Sequence, residues 1–137
     1  MIYHRDIRIE FNHCDPAGIV FYPRYFEMLN SVVENFFRDV AKHPFEAMML
    51  DDTGVPTART EVTFTAPSRL GEVLDWRLAV ARLGRAALDL TVEAWGADQR
   101  RLTAEITVVH IKTGRPKAWP EAVRARIAQF AETKDEP

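Results

Sequence analysis

Near its start the chain alternates, with Ile7, Ile9 and Phe11 separated by Arg8 and Glu10. A period of two puts apolar side chains on one face of an extended segment and predicts a half-buried strand over residues 2–11. The run Asn12-His13-Cys14-Asp15-Pro16-Ala17-Gly18 is dense in turn formers, and Ile19-Val20-Phe21 closes it as a loop with apolar content. Pro23 suits the first position of a helix, where its missing N–H removes no intrahelical bond. From there Tyr25, Phe26, Leu29, Val32, Val33, Phe36, Phe37 and Val40 follow the spacing of an amphipathic helix, with Glu27, Glu34 and Arg38 on the opposite face. Pro44 ends the connection, and residues 45–50 predict a short second helix before the turn at Thr53-Gly54.

The middle of the chain reads as strands. Residues 57–65 are rich in Thr and Val, while residues 73–83, 87–95 and 102–112 alternate. Short, turn-rich separators at 67–72, 83–85, 96–100 and 113–114 predict that consecutive strands are antiparallel neighbours. Residues 120–131 predict a last amphipathic helix. The expected fold class is α+β, a five-stranded antiparallel sheet curled around one long helix with a short C-terminal helix, in a single domain over residues 1–137. Such a sheet still has edge strands and a partly uncovered face; pairing two sheets edge to edge removes that liability and predicts a homodimer.

Composition narrows the classes. An apolar share of 47% and a charged share of 28% are those of an ordinary globular domain. The net charge of -2 supplies no field to attract nucleic acid or an anionic membrane. The single cysteine, Cys14, cannot form an internal disulfide, and no Cys and His spacing suggests zinc, so a reducing compartment is expected. Charge appears within the first residues and no apolar run approaches the roughly 18 residues of a membrane span, which points to a cytoplasmic protein.

Candidate chemistry is confined by what is missing: there is no Gly-x-Ser-x-Gly elbow, P-loop, dinucleotide Gly pattern or His-Glu-x-x-His. What remains is the turn around Asp15, leading into the helix at Pro23. A helix N-terminus offers unpaired N–H groups and partial positive charge, which can hold a carbonyl oxygen as it becomes an oxyanion. A carboxylate beside it can attack that carbonyl or activate a water. A thioester suits so spare a device, because a thiol of pKa about 8.5 departs with little acid assistance. The competing reading is that Asp15 simply forms an Asx-type turn before Pro16.

The run Phe11-Asn12-His13-Cys14-Asp15-Pro16-Ala17-Gly18-Ile19-Val20-Phe21-Tyr22-Pro23-Arg24-Tyr25-Phe26 resembles the signature of the 4-hydroxybenzoyl-CoA thioesterase family, in its Pseudomonas-type branch. Gly54-Val55-Pro56 and Glu61-Val62-Thr63-Phe64 fit the second strand of that family. The resemblance implies a hot-dog fold, active sites at a dimer interface, often a tetramer built as a dimer of dimers, and no cofactor. It further implies that Asp15 is nucleophile or general base, that the Tyr22 N–H polarises the thioester carbonyl, that Val55 lies near the acyl group, and that Arg85, with Arg82, approaches the CoA phosphates. The implied reaction is hydrolysis of an acyl- or aroyl-CoA. The alternative is a non-catalytic acyl-CoA binding module; a hydratase loses support because the long helix lacks the expected His. The chain departs from the family at His13, where members carry acidic or small residues, and at the arginine hairpin, where Leu83-Gly84 interrupts the basic pair.

Other chemistry-bearing residues take plainer readings. Glu27 and Glu34 are read as solvated or interface charge on the long helix. Cys14 beside His13 is read as a buried, inert thiol, since neighbours in an extended loop point apart. His110 shares a face with Ile106 and Val108 and is read as a core or edge histidine. Arg100 and Arg101 are read as solvated hairpin charges, and Trp76, Trp95 and Trp119 as core or interface aromatics.

Overall fold

The computed structural model describes residues 1–132; residues 133–137 of the expected domain lie outside it. In chain order the elements are β1 (Tyr3–Arg8), a 3-10 turn (Phe11–His13), α1 (Pro23–Asp39), α2 (Phe45–Leu50), β2 (Thr53–Gly54) and β3 (Thr57–Phe64). They continue with β4 (Val73–Leu83), β5 (Ala87–Gly96), β6 (Gln99–Val109), β7 (Ile111–Lys112), β8 (Arg115–Pro116) and α3 (Glu121–Glu132). β1, β4, β5, β6 and β3 form one antiparallel sheet in that order, and β2, β7 and β8 form a small second one. This is the expected hot-dog arrangement, a sheet wrapped on a central helix.

Pro23 stands at the start of α1 as anticipated. The buried face of α1 is Tyr25, Met28, Leu29, Val32, Val33, Phe36 and Phe37. It meets the inward residues of the sheet, among them Leu74, Trp76 and Leu78 of β4 and Leu88, Leu90 and Val92 of β5, in one core cluster. Each fully buried side chain of this size contributes roughly 1.5–3 kcal/mol, so the helix is held by its apolar stripe rather than by its termini. Phe26 departs from the expected stripe: it is 41% exposed, and Met28 takes the inward place.

Residues before α3 close one end of the sheet. Trp119 stacks on Phe37 with ring centroids 5.9 Å apart and donates its indole N–H to the Ala87 carbonyl at 3.3 Å. His110 is buried, its Nδ1 donates to the Lys117 carbonyl at 2.8 Å, and its ring lies 5.1 Å from Trp119. His110, Trp76 and Trp119 are core residues as read, but His110 is only half satisfied, since its Nε2 is buried without a partner among the described residues, as is Trp76 Nε1; Trp95 is half-buried under the Arg77 guanidinium at 4.6 Å.

Two expectations need correction. β3 and β4 are consecutive but not neighbours, because β1 occupies the free edge of β4 and β3 crosses to pair with β6 at the far edge. Phe11 does not continue the inward face of β1; the chain turns into the 3-10 segment after the buried Ile9, and Phe11 is left 83% exposed.

Candidate active site

Asp15 sits at the tip of a small hairpin. Cys14 bridges Val20, the Phe21 N–H donates to the His13 carbonyl at 2.9 Å, and the Asp15 N–H donates to the Ile19 carbonyl at 3.1 Å. Gly18 closes the turn by donating to the Asp15 carbonyl at 3.0 Å, with φ of +78°, a conformation that favours glycine. The Asp15 carboxylate accepts the Ala17 N–H through Oδ1 at 2.9 Å, which is the Asx turn anticipated as the competing role. Its Oδ2 accepts no hydrogen bond among the described residues, so half of the carboxylate stays available. Asp15 is half-buried.

The hairpin runs directly into α1. Tyr22 occupies the cap position, its carbonyl accepts the Tyr25 N–H at 3.1 Å, and its own N–H has no partner among the described residues. Asp15 lies at the tip of this hairpin and the Tyr22 N–H where the hairpin runs into α1, so the carboxylate and the positive helix start belong to one short segment. The Cys14 thiol, half-buried against the core, donates to the Glu10 carbonyl at 3.6 Å, and His13 Nδ1 accepts the Glu10 N–H at 2.8 Å, so neither orients the other. Glu27 is exposed and pairs with Arg24 at 3.1 Å, Glu34 is half-buried, and neither approaches the turn through any hydrogen bond.

The other anticipated residues lie elsewhere. Val55 is half-buried and lines an apolar cavity of about 350 Å³ with Val33, Phe45, Met48, Met49 and Pro56, in which Asn30 supplies a lone amide. Arg82 and Arg85 are exposed on the β4–β5 hairpin, where Arg82 faces Asp89 across the strands. That hairpin follows the last residue of β4, whereas the Asp15 hairpin contacts Ser68 to Leu70, just before the first; at ~3.3 Å per residue, the 11 residues of β4 separate them by roughly 33 Å. Within one chain, then, Asp15 and Tyr22 lie at the tip and the base of one hairpin while Val55, Arg82 and Arg85 stand at the opposite end of the sheet.

Charge at the Asp15 end comes from a group that the sequence reading placed in solvent. Arg101 is only 4% exposed. It is the unpaired residue of a β-bulge, since Ala94 pairs with Leu102 and Trp95 with Arg100, and the bulge turns its side chain inward. Its Nη1 donates to Glu72 Oε1 at 2.9 Å, to the Pro67 carbonyl at 3.0 Å and to Ser68 Oγ at 3.2 Å; Nη2 donates to Glu72 Oε2 at 2.7 Å and to the Gly96 carbonyl at 3.0 Å. The hydrogen bonds from Arg101 hold the Glu72 carboxyl below the usual carboxylate range, and burial pushes the nearby Tyr25 phenol up. Arg100, by contrast, is exposed as expected.

The edge by Tyr22 is aromatic. Phe21, Tyr22, Phe26 and Phe64 are 49%, 59%, 41% and 45% exposed, and the Tyr22 and Phe26 rings lie 6.1 and 6.5 Å from Phe64. β3 itself is exposed along nearly its whole length, with one backbone edge unpaired. Among the described residues no His, Cys, Asp and Glu cluster could hold a metal, and no helix is long and apolar enough to cross a membrane.

Comparison with known proteins matches residues 9–127 to the thioesterase-like superfamily. Over 69 residues the chain is 32% identical to the 4-hydroxybenzoyl-CoA thioesterase of Pseudomonas sp. (strain CBS-3); the match spans 49% of this chain and about half (49%) of that relative. A Staphylococcus aureus hypothetical protein solved in complex with CoA superposes with a TM-score of 0.91 at 18% identity, covering 100% of this chain and 90% of that one. A 1,4-dihydroxy-2-naphthoyl-CoA thioesterase from Synechocystis superposes with a TM-score of 0.87 at 16% identity, covering 97% and 100%. At such identities the two superpositions speak for the fold.

Proposed function

Because this chain belongs to the thioesterase-like superfamily, we propose that it hydrolyses acyl-CoA thioesters to the free acid and CoA with Asp15 as the working carboxylate. The observation that carries this reading is the half-free Asp15 carboxylate on the same hairpin as the unpartnered Tyr22 N–H at the start of α1. The N–H and the helix end stabilise the oxyanion; Asp15 either attacks the carbonyl carbon, expelling CoA thiolate and leaving a mixed anhydride for water to cleave, or removes a proton from the attacking water. The name of the Pseudomonas relative favours an aromatic acyl group, and the apolar cavity at Val55 suits one.

The acting unit is a dimer in this proposal. Two copies related by a twofold, with their β3 edges paired antiparallel, set the Thr57 end of one chain against the Phe64 end of the other. That places the Val55 cavity of one copy, and the Arg82 and Arg85 hairpin beside it, toward the Asp15 hairpin of its partner. It also covers Phe21, Tyr22, Phe26 and Phe64, whose exposure in a single chain is otherwise unfavourable. A tetramer would pair two such dimers.

The test is free-thiol release from a panel of benzoyl-, hydroxybenzoyl-, butyryl- and hexanoyl-CoA. Asp15→Asn should keep fold and CoA-thioester binding while lowering kcat by two or more decades, on the order seen for other catalytic groups. Unchanged turnover in that variant removes Asp15 from the chemistry; saturable binding without thiol release by the wild type points to the binding-module alternative.

A further inference from the structure

The Arg101 network and the Asp15 hairpin are joined by backbone hydrogen bonds. The segment between β3 and β4 is irregular, and Arg101 grips it from beneath through the Pro67 carbonyl, Ser68 Oγ and Glu72. Glu72 Oε1 in turn accepts the Arg69 N–H at 2.7 Å. From its outer side the same segment holds the Asp15 hairpin: the Val20 N–H donates to the Ser68 carbonyl at 2.9 Å, the Leu70 N–H donates to the Gly18 carbonyl at 3.2 Å, and Ile19 bridges Arg69. Gly18 and Ile19 are the residues whose main chain closes the turn on Asp15.

We propose that Arg101, clamped by Glu72, is a positioning residue that fixes the Asp15 turn against the start of α1. The proposal rests on the reading of Asp15 as the catalytic carboxylate. Arg101 is 4% exposed and the Glu72 side chain 29%, and taking a guanidinium so far out of water is a poor way to gain stability, since an apolar residue of equal volume often does as well, so its presence points to a demand for geometry. The geometry here is specific: one guanidinium ties two points of the β3–β4 connection, residues 67–68 and residue 72, to residue 96 at the end of β5. Gly96 shows how closely it is fitted, because a Cβ there would stand 3.0 Å from Arg101 Nη2 and 2.8 Å from Leu74 Cδ2. An ammonium is a point donor that cannot span those acceptors in one plane, so lysine at 101 keeps the charge and loses the brace.

Arg101→Lys and the milder Ser68→Ala, each confirmed as folded by near-ultraviolet circular dichroism, are measured in the full chain by thiol release and by amide hydrogen exchange. Arg101→Lys should lower kcat about tenfold or more with KM within about twofold, and should lower the residual rate no further in an Asp15→Asn background, the non-additivity of groups acting as one unit. The amides of Ala17, Val20 and Leu70 should exchange about tenfold faster while those of β5 are unchanged. A folded Arg101→Lys protein with wild-type kcat, an equal loss in both backgrounds, or unaltered exchange at Ala17 and Val20 overturns the positioning role. Should Arg101→Lys not fold, Ser68→Ala is subject to the same criteria with smaller changes. Absence of thiol release by the wild type would defeat the proposed function, and the exchange measurement would still decide whether Arg101 holds the turn.

Discussion

Replacing Glu72 by Gln keeps the shape of the side chain and removes the charge that faces Arg101. The guanidinium is then a buried cation without a counter-ion, and one of its two contacts to residue 72 meets an amide NH2 in place of an oxygen. Removing one partner of a fully buried pair costs about 3–5 kcal/mol, and here the Glu72 side chain is 29% exposed. The lower end applies here, because the Pro67 and Gly96 carbonyls and Ser68 Oγ still accept from Arg101. For 137 residues the unfolding entropy is about 0.29 kcal/mol/K near the midpoint, so ~3 kcal/mol lowers Tm by about 10 °C. The comparison is Glu61→Gln, which breaks the Arg59–Glu61 pair; both side chains there are about 60% exposed, and the loss should be ~1 kcal/mol or less, about 3 °C. Both variants are melted by calorimetry at one protein concentration, so that any dimer association contributes equally. The pH dependence supplies a second reading. Arg101 depresses the Glu72 carboxyl in the folded state, so the stabilisation is present above the ordinary glutamate pKa of about 4.3 and is lost as pH falls through the lower folded value. The gap between wild type and Glu72→Gln should be constant from pH 6 to 8 and close only in acid. A Glu72→Gln protein melting within about 3 °C of wild type at pH 7 would refute the assignment of the buried Arg101 and the half-buried Glu72 as an interdependent pair.

Three further outcomes are expected. Gly96→Ala places a methyl against two buried groups and should destabilise by about 1–3 kcal/mol in urea unfolding, with a fall in kcat if Arg101 is displaced. Tyr3, whose phenol is pushed up to about 12 by burial and by its hydrogen bond to Asp39, should contribute stability that is full below pH 10 and is lost as pH rises through 12; the difference between wild type and Tyr3→Phe should shrink over that window. Mixing inactive Asp15→Asn with inactive Val55→Trp under conditions of subunit exchange should restore about a quarter of wild-type activity, since half of the dimers are hybrid and each hybrid carries one intact site; no recovery in folded hybrids would mean that Asp15 and Val55 do not meet across an interface.

Periodicity made the elements legible and left their assembly partly hidden. The bounds of α2 and β4 and the start of α1 at Pro23 coincide with the sequence expectation, because an apolar stripe of period 3.6 or 2 and a proline at the first helical position are local signals. The far-edge position of β3 is not local: it depends on β1 having taken the free edge of β4, a pairing between residues about seventy positions apart. Arg101 escaped for a related reason. Strict alternation from Leu102 places it with Thr103 and Glu105 on the outer face, and only the bulge opposite Trp95 reverses it. Asp15 and the start of α1 could be grouped from sequence because a short turn-rich run leads from one to the other, whereas Tyr22 itself entered by resemblance. Val55, Arg82 and Arg85 could be grouped with them only by resemblance, and the strand length shows that a single chain does not bring them together.

The two halves of the proposed site differ in stiffness as well as in place. The Asp15 turn is closed by its own hydrogen bonds and braced by a guanidinium with five short contacts, so its carboxylate has little freedom. The Val55 cavity is bounded by Met48 and Met49 on a helix of 6 residues, and Met49 and Leu50 are 80% and 90% exposed. Methionine side chains repack around ligands of different shape at small cost, and a short helix with few buried contacts opens easily. Chemistry at a carbonyl needs its donor and carboxylate placed to a fraction of an ångström whatever acyl group is attached, whereas the acyl group itself needs only apolar cover. In the proposed dimer a rigid turn in one subunit facing a soft methionine-lined cavity in the other would meet both requirements, and the proposal then locates selectivity among acyl groups in α2 and Val55 and the rate of the chemical step on the Asp15 side.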